Sequence, residues 1–476
     1  MIGKKLISHS IIYGAASLLI NGSNFFLIPI YTHYLTTAEY GIISSVAVFS
    51  AITTSIFTLG FNGAVTRFYV EYSTEQFREF LFSVFVFQVV FAALVCLPFV
   101  LLNGLFLDSI FKGVPFEPYL RYGIYIGITG IFSTVPLAFL QAQSKALGYR
   151  IFTTVSFLIL TALMFVMVVF NRSGSIGGVQ ATLYANCLMA LIYTGFLLRQ
   201  SIIRFHFPYV RAALTFGVPV MLYAVFGSLI ELSSKYFIER FVSLDDLGIY
   251  NAGYQMASVI LLVINAVNMA WVPVFFAKAK ENISSTLFGD FGKLLIVCLT
   301  VGGLAVALLA NEIIGLLDNG YAQAASIVPI LVLTHVVGGG YWVLMVNPIS
   351  YARKTVYLPI LTTISGVFSV FLSLFLIPKA GMVGAALSTL LSYLLLIAIS
   401  YVVFKRFSQI RYDFARMNTM ILIAIVIYLV SLAIPAQDLI ISIVIKLTLL
   451  VLYVAILQFA RVYSIQDAIA FVKSTH

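Results

Sequence analysis

Charge is what this chain has least of. Only 9% of its 476 residues are Asp, Glu, Lys or Arg, against roughly 25% in a soluble globular protein whose surface must be solvated. So few charges cannot cover a water-facing surface of this size, which excludes a soluble enzyme and a DNA-binding module. Cysteine is nearly absent too: Cys96, Cys187 and Cys298 stand far apart, each inside an apolar run. None has metal-ligand spacing, so all three read as packing residues. There is no Walker A motif, no HExxH, no GxSxG and no Rossmann glycine fingerprint. The longest connections, near 103–118 and 273–289, are ordinary loops without room for a folded domain. The expectation is a protein without a catalytic centre, metal, cofactor or nucleic-acid partner, whose action takes place among helices.

What the chain has in quantity is apolar length. Hydrophobic residues make up 62% and aromatics 15%. A membrane helix needs about 20 mostly apolar residues. Fourteen segments qualify: 11–33, 41–62, 80–103, 120–143, 151–170, 178–198, 212–235, 248–272, 292–312, 323–347, 357–377, 383–404, 417–434 and 441–460. The first follows Lys4 and Lys5 as a signal peptide would, but it is too long for an h-region and lacks a small-residue cleavage site. It is read as a retained span. An all-α polytopic membrane protein is therefore expected.

The net charge of +10 would suggest nucleic acid in a soluble protein. Here the basic residues fall in short segments between apolar runs and report orientation instead. With the N-terminus inside, 20 of the 27 Lys and Arg lie on the cytoplasmic side and 7 on the other. Both termini are expected in the cytoplasm. The basic stretch Lys405–Arg416 has anionic lipid as its default partner.

The chain also resembles itself at an offset of about 207. LTTAEYGI from Leu35 falls on VSLDDLGI from Val242, which sets Glu39 on Asp246, Gly41 on Gly248 and Ile42 on Ile249. SIGGVQAT from Ser175 falls on GMVGAALS from Gly381 at offset 206, with Gly178 on Gly384. An even number of spans per repeat keeps both copies in one orientation. Two pseudo-symmetric six-helix lobes are expected, at 1–206 and 207–416, with an added pair of spans at 417–476. Transporters place substrate sites between such repeats.

The run PIYTHYLTTAEYG (Pro29–Gly41), followed by GFNGAVTRFYVEY (Gly60–Tyr72), resembles the polysaccharide flippase family of the multidrug/oligosaccharidyl-lipid/polysaccharide exporter superfamily. The resemblance implies a V-shaped fold whose central cavity is lined largely by spans 1, 2, 7 and 8. It implies movement of an undecaprenyl-pyrophosphate-linked oligosaccharide, an O-antigen or other surface-polysaccharide unit, across the bacterial inner membrane. Lipid-linked oligosaccharide and membrane lipids would be its partners, with polysaccharide polymerase and glycosyltransferases as protein partners. One departure matters. The lipid II flippases of that superfamily look arginine-rich in span 1, whereas this span offers only Asn21 and Asn24 as strong polar groups. That points away from a peptidoglycan precursor.

Ionisable groups at membrane depth cost about 2.5–3.5 kcal/mol each on insertion scales, so each needs a reason. Glu231, Lys235 and Glu239 recur every four residues in span 7 and share one helix face. As a cavity stripe, Lys235 would attract phosphate or acidic sugar, and Glu231 would balance it or take a proton. The alternative is a structural ion pair, with Glu239 and Arg240 at the outer interface. The offset sets Glu231 on Asn24, giving both lobes a polar group at that level. Arg67 would hold pyrophosphate with its bidentate fork or merely anchor the cytoplasmic side. Gln255, Asn265 and Asn268 in span 8 suit sugar hydroxyls or interhelical hydrogen bonds. Against the flippase reading stand a cation-coupled multidrug exporter, which would need more membrane carboxylates, and a non-transporting scaffold of a polysaccharide-synthesis complex.

Overall fold

The structure, a computed structural model, describes residues 23–101, 111–143, 145–280, 285–434, 438–460 and 462–463. Among them every regular element is helical. Twelve helical runs are long and apolar enough to cross a membrane. The fourteen expected segments differ from these twelve at two places. Residues 11–22 of the first segment lie outside the described residues, and its end is α1 (Ser23–Tyr34). The eleventh and twelfth segments form one 51-residue run, here called α15 (Tyr357–Phe407), broken internally where Gly381 takes φ +51°. Glycine reaches that left-handed φ without a Cβ clash, so the chain turns there with no loop.

The remaining helices follow in order. The second span is α2 (Thr37–Phe57) and α3 (Phe61–Glu71), separated by a left-handed break at Leu59 and Gly60. Next come α4 (Thr74–Leu101), α5 (Arg121–Gly130), α6 (Thr134–Ala142), α7 (Ala146–Met164) and α8 (Gly174–Gln200). The second half holds α9 (Phe207–Phe241), α10 (Leu244–Ala257), α11 (Val259–Lys280), α12 (Ser285–Leu308), the short α13 (Ala310–Ile314) and α14 (Val328–Tyr351). After α15 come α16 (Phe414–Leu432) and α17 (Leu439–Phe459).

The repeat is visible in these boundaries. Helices α2 and α10 begin 207 residues apart, α4 and α12 end 207 apart, and α5 and α14 begin 207 apart. The left-handed glycines Gly174 and Gly381 hold the same interval. This corrects the offset of 206 read at Ser175: Gly384 is the counterpart of Gly177, not Gly178. Apolar runs align cheaply in neighbouring registers, whereas a glycine in a left-handed conformation marks one position in the chain. Caps repeat as well. Glu39 N–H donates to Thr36 Oγ1 at 3.2 Å while Thr36 N–H donates to the Glu39 carboxylate at 2.9 Å. Asp246 N–H donates to Ser243 Oγ at 3.0 Å, 207 residues later. Such caps satisfy donors that the first turn of a helix leaves unpaired.

The chain forms two compact units that interleave in sequence. The first comprises Leu27–Asn251 with Gly366–Ala385. Its core is rich in aromatics, with Phe61, Phe68, Phe77, Phe80, Phe85 and Phe139 buried in one cluster. Where α9 meets the first half of α15, small residues replace rings: Ser369 Oγ donates to Ile230 O at 3.0 Å, and Gly366 lies against the Phe226 carbonyl. Small side chains let backbones approach where lipid supplies no hydrophobic drive.

The second unit comprises Met1–Phe26, Ala252–Ser365 and Ala386–His476. Here the two C-terminal spans are tied to the rest by polar contacts. Tyr453 Oη donates to Thr300 Oγ1 at 2.7 Å, and Tyr341 Oη donates to Asn418 Oδ1 at 2.6 Å. Lys446 Nζ donates to both oxygens of Glu312, at 2.6 and 2.8 Å. Trp271 stacks flat on Phe291 with ring centroids 3.6 Å apart.

Candidate functional site

Helix α9 carries the ionisable stripe expected from the sequence. Four-residue spacing brings Glu231 beside Lys235, and the Glu231 carboxylate acts electrostatically on the Lys235 ammonium. Lys235 Nζ also donates to Asn251 Oδ1 at 2.7 Å. Asn251 is buried on α10, so this hydrogen bond joins the seventh span to the eighth. A partly buried ammonium on a long apolar helix is costly without partners, and the two groups supply them. The amide oxygen stabilises the cation without cancelling its charge.

Glu239, two turns on, is not at an exposed interface as its position near the helix end suggested. It is 5% exposed, and its Oε1 accepts the backbone N–H of Gly113. Its Oε2 has no hydrogen-bond partner among the described residues. Phe111 packs edge-on against Tyr236 at 5.4 Å, so the segment before α5 is docked on the end of α9. Sequence spacing showed the shared face but not the segment that covers it.

Arg67 lies beyond the break in the second span, on α3. Its Nε is 3.0 Å from Glu71 Oε1, and its guanidinium sits 4.8 Å from the centroid of the Phe216 ring on α9. The ion pair is half-exposed and contributes at most about 1 kcal/mol. The guanidinium over the Phe216 ring makes a cation–π contact between α3 and α9. Phe216 and Lys235 are nineteen residues apart on one helix, or about 28 Å at 1.5 Å per residue. That separation along α9 is close to the ~30 Å thickness of a bilayer core.

In the second unit Asn268 accepts from Asn347 Nδ2 at 3.4 Å, while Asn265 is exposed. The Gln255 side-chain oxygen is 3.4 Å from Ser258 Oγ. His335 is buried edge-on to Tyr254 at 5.6 Å. Asn24 lies on α1, but its side chain is outside the described residues. An apolar cavity of about 290 Å³, lined by residues including Leu304, Val332, Leu387 and Ile421, contains none of these groups.

Sequence reading missed Asn251. A signal was available, because the 207 offset sets Asn251 on Ser44 and both are buried polar residues in the second helix of a repeat. Ser44 and its neighbour Ser45 are 4% and 2% exposed, and neither hydroxyl has a hydrogen-bond partner among the described residues.

Comparison with known proteins bears on what this arrangement does. The family described as polysaccharide biosynthesis protein matches residues 6–279. A protein of the Lsg locus of Haemophilus influenzae is 24% identical over 286 residues, covering 58% of this chain and 68% of that protein. An uncharacterized membrane protein of the same organism is 24% identical over 283 residues, 58% of this chain and 67% of its own length. Among solved structures, the lipid II flippase MurJ in an inward closed conformation matches with a TM-score of 0.77 at 13% identity, over 95% of this chain and all of that one. A multidrug resistance MATE family transporter of the MOP superfamily, inward-facing, matches with a TM-score of 0.60 at 14% identity, over 84% and 98%. At these identities the likeness shows a shared fold, that of multi-pass membrane transporters.

Proposed function

The chain belongs to the polysaccharide biosynthesis protein family, and from that premise we propose that it translocates an undecaprenyl-pyrophosphate-linked oligosaccharide across the bacterial inner membrane by alternating access. The observation that carries the reading is the Lys235 ammonium, partly buried on a helix long and apolar enough to cross a membrane and hydrogen-bonded to the neutral Asn251 amide, where a positive charge suits an anionic head group. Arg67, about one bilayer thickness away along α9, would receive the pyrophosphate at the cytoplasmic level. Gln255, Asn265 and Asn268 would meet sugar hydroxyls, and Glu231 would balance Lys235 between cycles. The halves 1–206 and 207–416 would rock about the site, with 417–476 as an addition and both termini in the cytoplasm. The hydrophilic head would cross while the polyprenyl tail stays in lipid.

Energetics support the direction. Outward movement of an anion runs down an inside-negative potential, at about 2.3 kcal/mol per charge per 100 mV. A head bearing about two negative charges gains roughly 4–5 kcal/mol per 100 mV, a bias of about three powers of ten. No nucleotide hydrolysis is required.

The likeness to the MATE structure favours one other reading, a cation-coupled exporter using Glu231 or Glu239. Complementation separates the two. In a deletion strain, Lys235→Ala and Arg67→Ala should restore surface polymer at least tenfold less well than the wild-type chain at matched protein level. Full restoration by both variants overturns their assignment. Failure of the wild-type chain to restore polymer, with cation-dependent drug efflux instead, overturns the flippase reading.

A further inference from the structure

We propose that the turn at Arg353 and Lys354 and the last turn of α15, at Lys405 and Arg406, together bind the headgroup of one anionic phospholipid. The site uses none of the residues assigned to translocation, so it stands whatever the chain carries. All four cations belong to the second compact unit.

The turn between α14 and α15 is the first part of the site. Lys354 N–H donates to Ile349 O at 3.1 Å, and Arg353 N–H donates to Ser350 O at 3.0 Å. This pattern closes a helix around a left-handed residue that is usually glycine. Here the residue is Arg353, at φ +56°, a conformation costly for any side chain with a Cβ. Cations suit the C-terminal ends of α14 and α15 in any case, but a helix end does not require an arginine where glycine is at ease. Strain at an exposed arginine marks a place where the position of the charge matters.

Phe407 is the second part. Helix α15 is 51 residues long, yet its two ends meet, with the Tyr357 and Phe407 ring centroids 5.4 Å apart. Lys354 Nζ lies 5.1 Å from the Phe407 centroid and Arg406 Cζ lies 5.6 Å from it. One ring thus gathers cations from either end of the helix.

Charge and surroundings identify the occupant. Arg353, Lys354, Lys405 and Arg406 are all exposed, and none has a carboxylate partner among the described residues. Lys293 and Arg416 of the same unit, by contrast, pair with Asp290 and Asp413. Cations gathered without an anion repel one another and favour a phosphate between them. Within two helical turns stand Val356, Ile360 and Val402, which are 73%, 49% and 67% exposed. A free phosphate or an acidic peptide has no use for that apolar wall. A phospholipid uses both parts, its phosphate on the cations and its acyl chains along the wall. In the expected topology these segments lie on the cytoplasmic side, where basic clusters beside spans meet anionic lipid.

Native mass spectrometry of the purified full chain tests this, with phosphatidylglycerol and phosphatidylcholine of identical acyl chains as probes. The wild-type chain should retain phosphatidylglycerol at least fivefold over phosphatidylcholine. The double variants Arg353→Gln/Lys354→Gln and Lys405→Gln/Arg406→Gln should each bring that preference below twofold. Phe407→Leu, which keeps all four charges, should lower it severalfold. Arg199→Gln/Arg211→Gln removes equal charge from exposed positions elsewhere and should leave it unchanged. An undiminished preference in both cluster variants overturns the site. An equal loss in the Arg199/Arg211 variant shows diffuse attraction and overturns it too. Displacement of the lipid by excess inorganic phosphate or by polyglutamate gives the cations to another ligand, which also overturns the proposal. If a double variant fails to fold, the single variants Arg353→Gln and Arg406→Gln give the same reading, a retained preference in both overturning the site.

Discussion

Lys235 on the seventh span donates a hydrogen bond to Asn251 on the eighth across 2.7 Å. The choice of an amide matters more than the bond length. An aspartate at 251 would hold the ammonium equally well and neutralise it. The asparagine holds it without placing a second carboxylate beside it, Glu231 standing one turn before Lys235 and acting on it electrostatically.

Asn251→Asp should therefore lower polymer export about tenfold while protein level and melting temperature stay near wild type, because the carboxylate replaces the substrate's phosphate as the lysine's counter-ion. Asn251→Ala should be milder, since the cation survives. Export by Asn251→Asp at the wild-type rate, measured at matched expression, would show that the lysine does not receive the head group.

Two glycines on α9 should respond oppositely to one substitution. A Cβ on Gly217 would lie 2.3 Å from the Leu59 carbonyl oxygen at the break in the second span, whereas one on Gly227 meets nothing within 4 Å. Gly217→Ala should destabilise the protein by about 1–3 kcal/mol. Gly227→Ala should be neutral or stabilise it by roughly 0.5–1 kcal/mol, through reduced entropy of the unfolded chain. Thermal unfolding in detergent reads both, and a lower melting temperature for Gly227→Ala contradicts the open space assigned there.

The Glu312–Lys446 pair gives a pH-dependent stability. Burial pushes the Glu312 carboxyl up, but hydrogen bonds from Lys446 and Ser442 outweigh it and hold the group below its ordinary value of 4.5. A lowered carboxylate contributes stability that is complete above the ordinary value and lost as pH falls through the lowered one. Wild-type melting should thus be insensitive to this pair from pH 8 to about 5 and weaken below that. Lys446→Met, which strands the carboxylate, should cost about 3–5 kcal/mol at pH 7. Adding Glu312→Gln should recover part of the loss, and no recovery in the double variant would show that the two groups are not coupled.

Topology has a direct check. Single cysteines at Asn319 and Ser408 should be labelled by impermeant reagent from opposite sides of the membrane, Asn319 from outside. Labelling of both from one side contradicts the cytoplasmic termini.

Spans, orientation bias and repeat were all readable from one-dimensional pattern. Apolar length of about 20 residues is a requirement of the bilayer itself, so hydropathy found each span wherever the backbone is described. Glu231 and Lys235 were found for the same reason, since a charge inside such a run stands out whatever its partner. The 207 interval sets Asn251 on Ser44, but it could not say which group Asn251 holds. One asparagine among several in the eighth span becomes the lysine's partner only through the rotation and depth at which α9 and α10 meet.

The sequence alone thus determined that the chain is a bundle of long apolar helices, that it carries a repeat at an interval of about 207, and which charges fall within its apolar runs. Those properties depend on local composition and on intervals along the chain. Tertiary structure decided where the second span breaks, which glycines become backbone-to-backbone crossings, that the segment at Phe111–Gly113 covers Glu239, and which neutral group holds the lysine. Each of these depends on distances of a few ångströms between residues more than 100 positions apart, or across a turn whose angle no residue pattern encodes. Packing in three dimensions sets those distances.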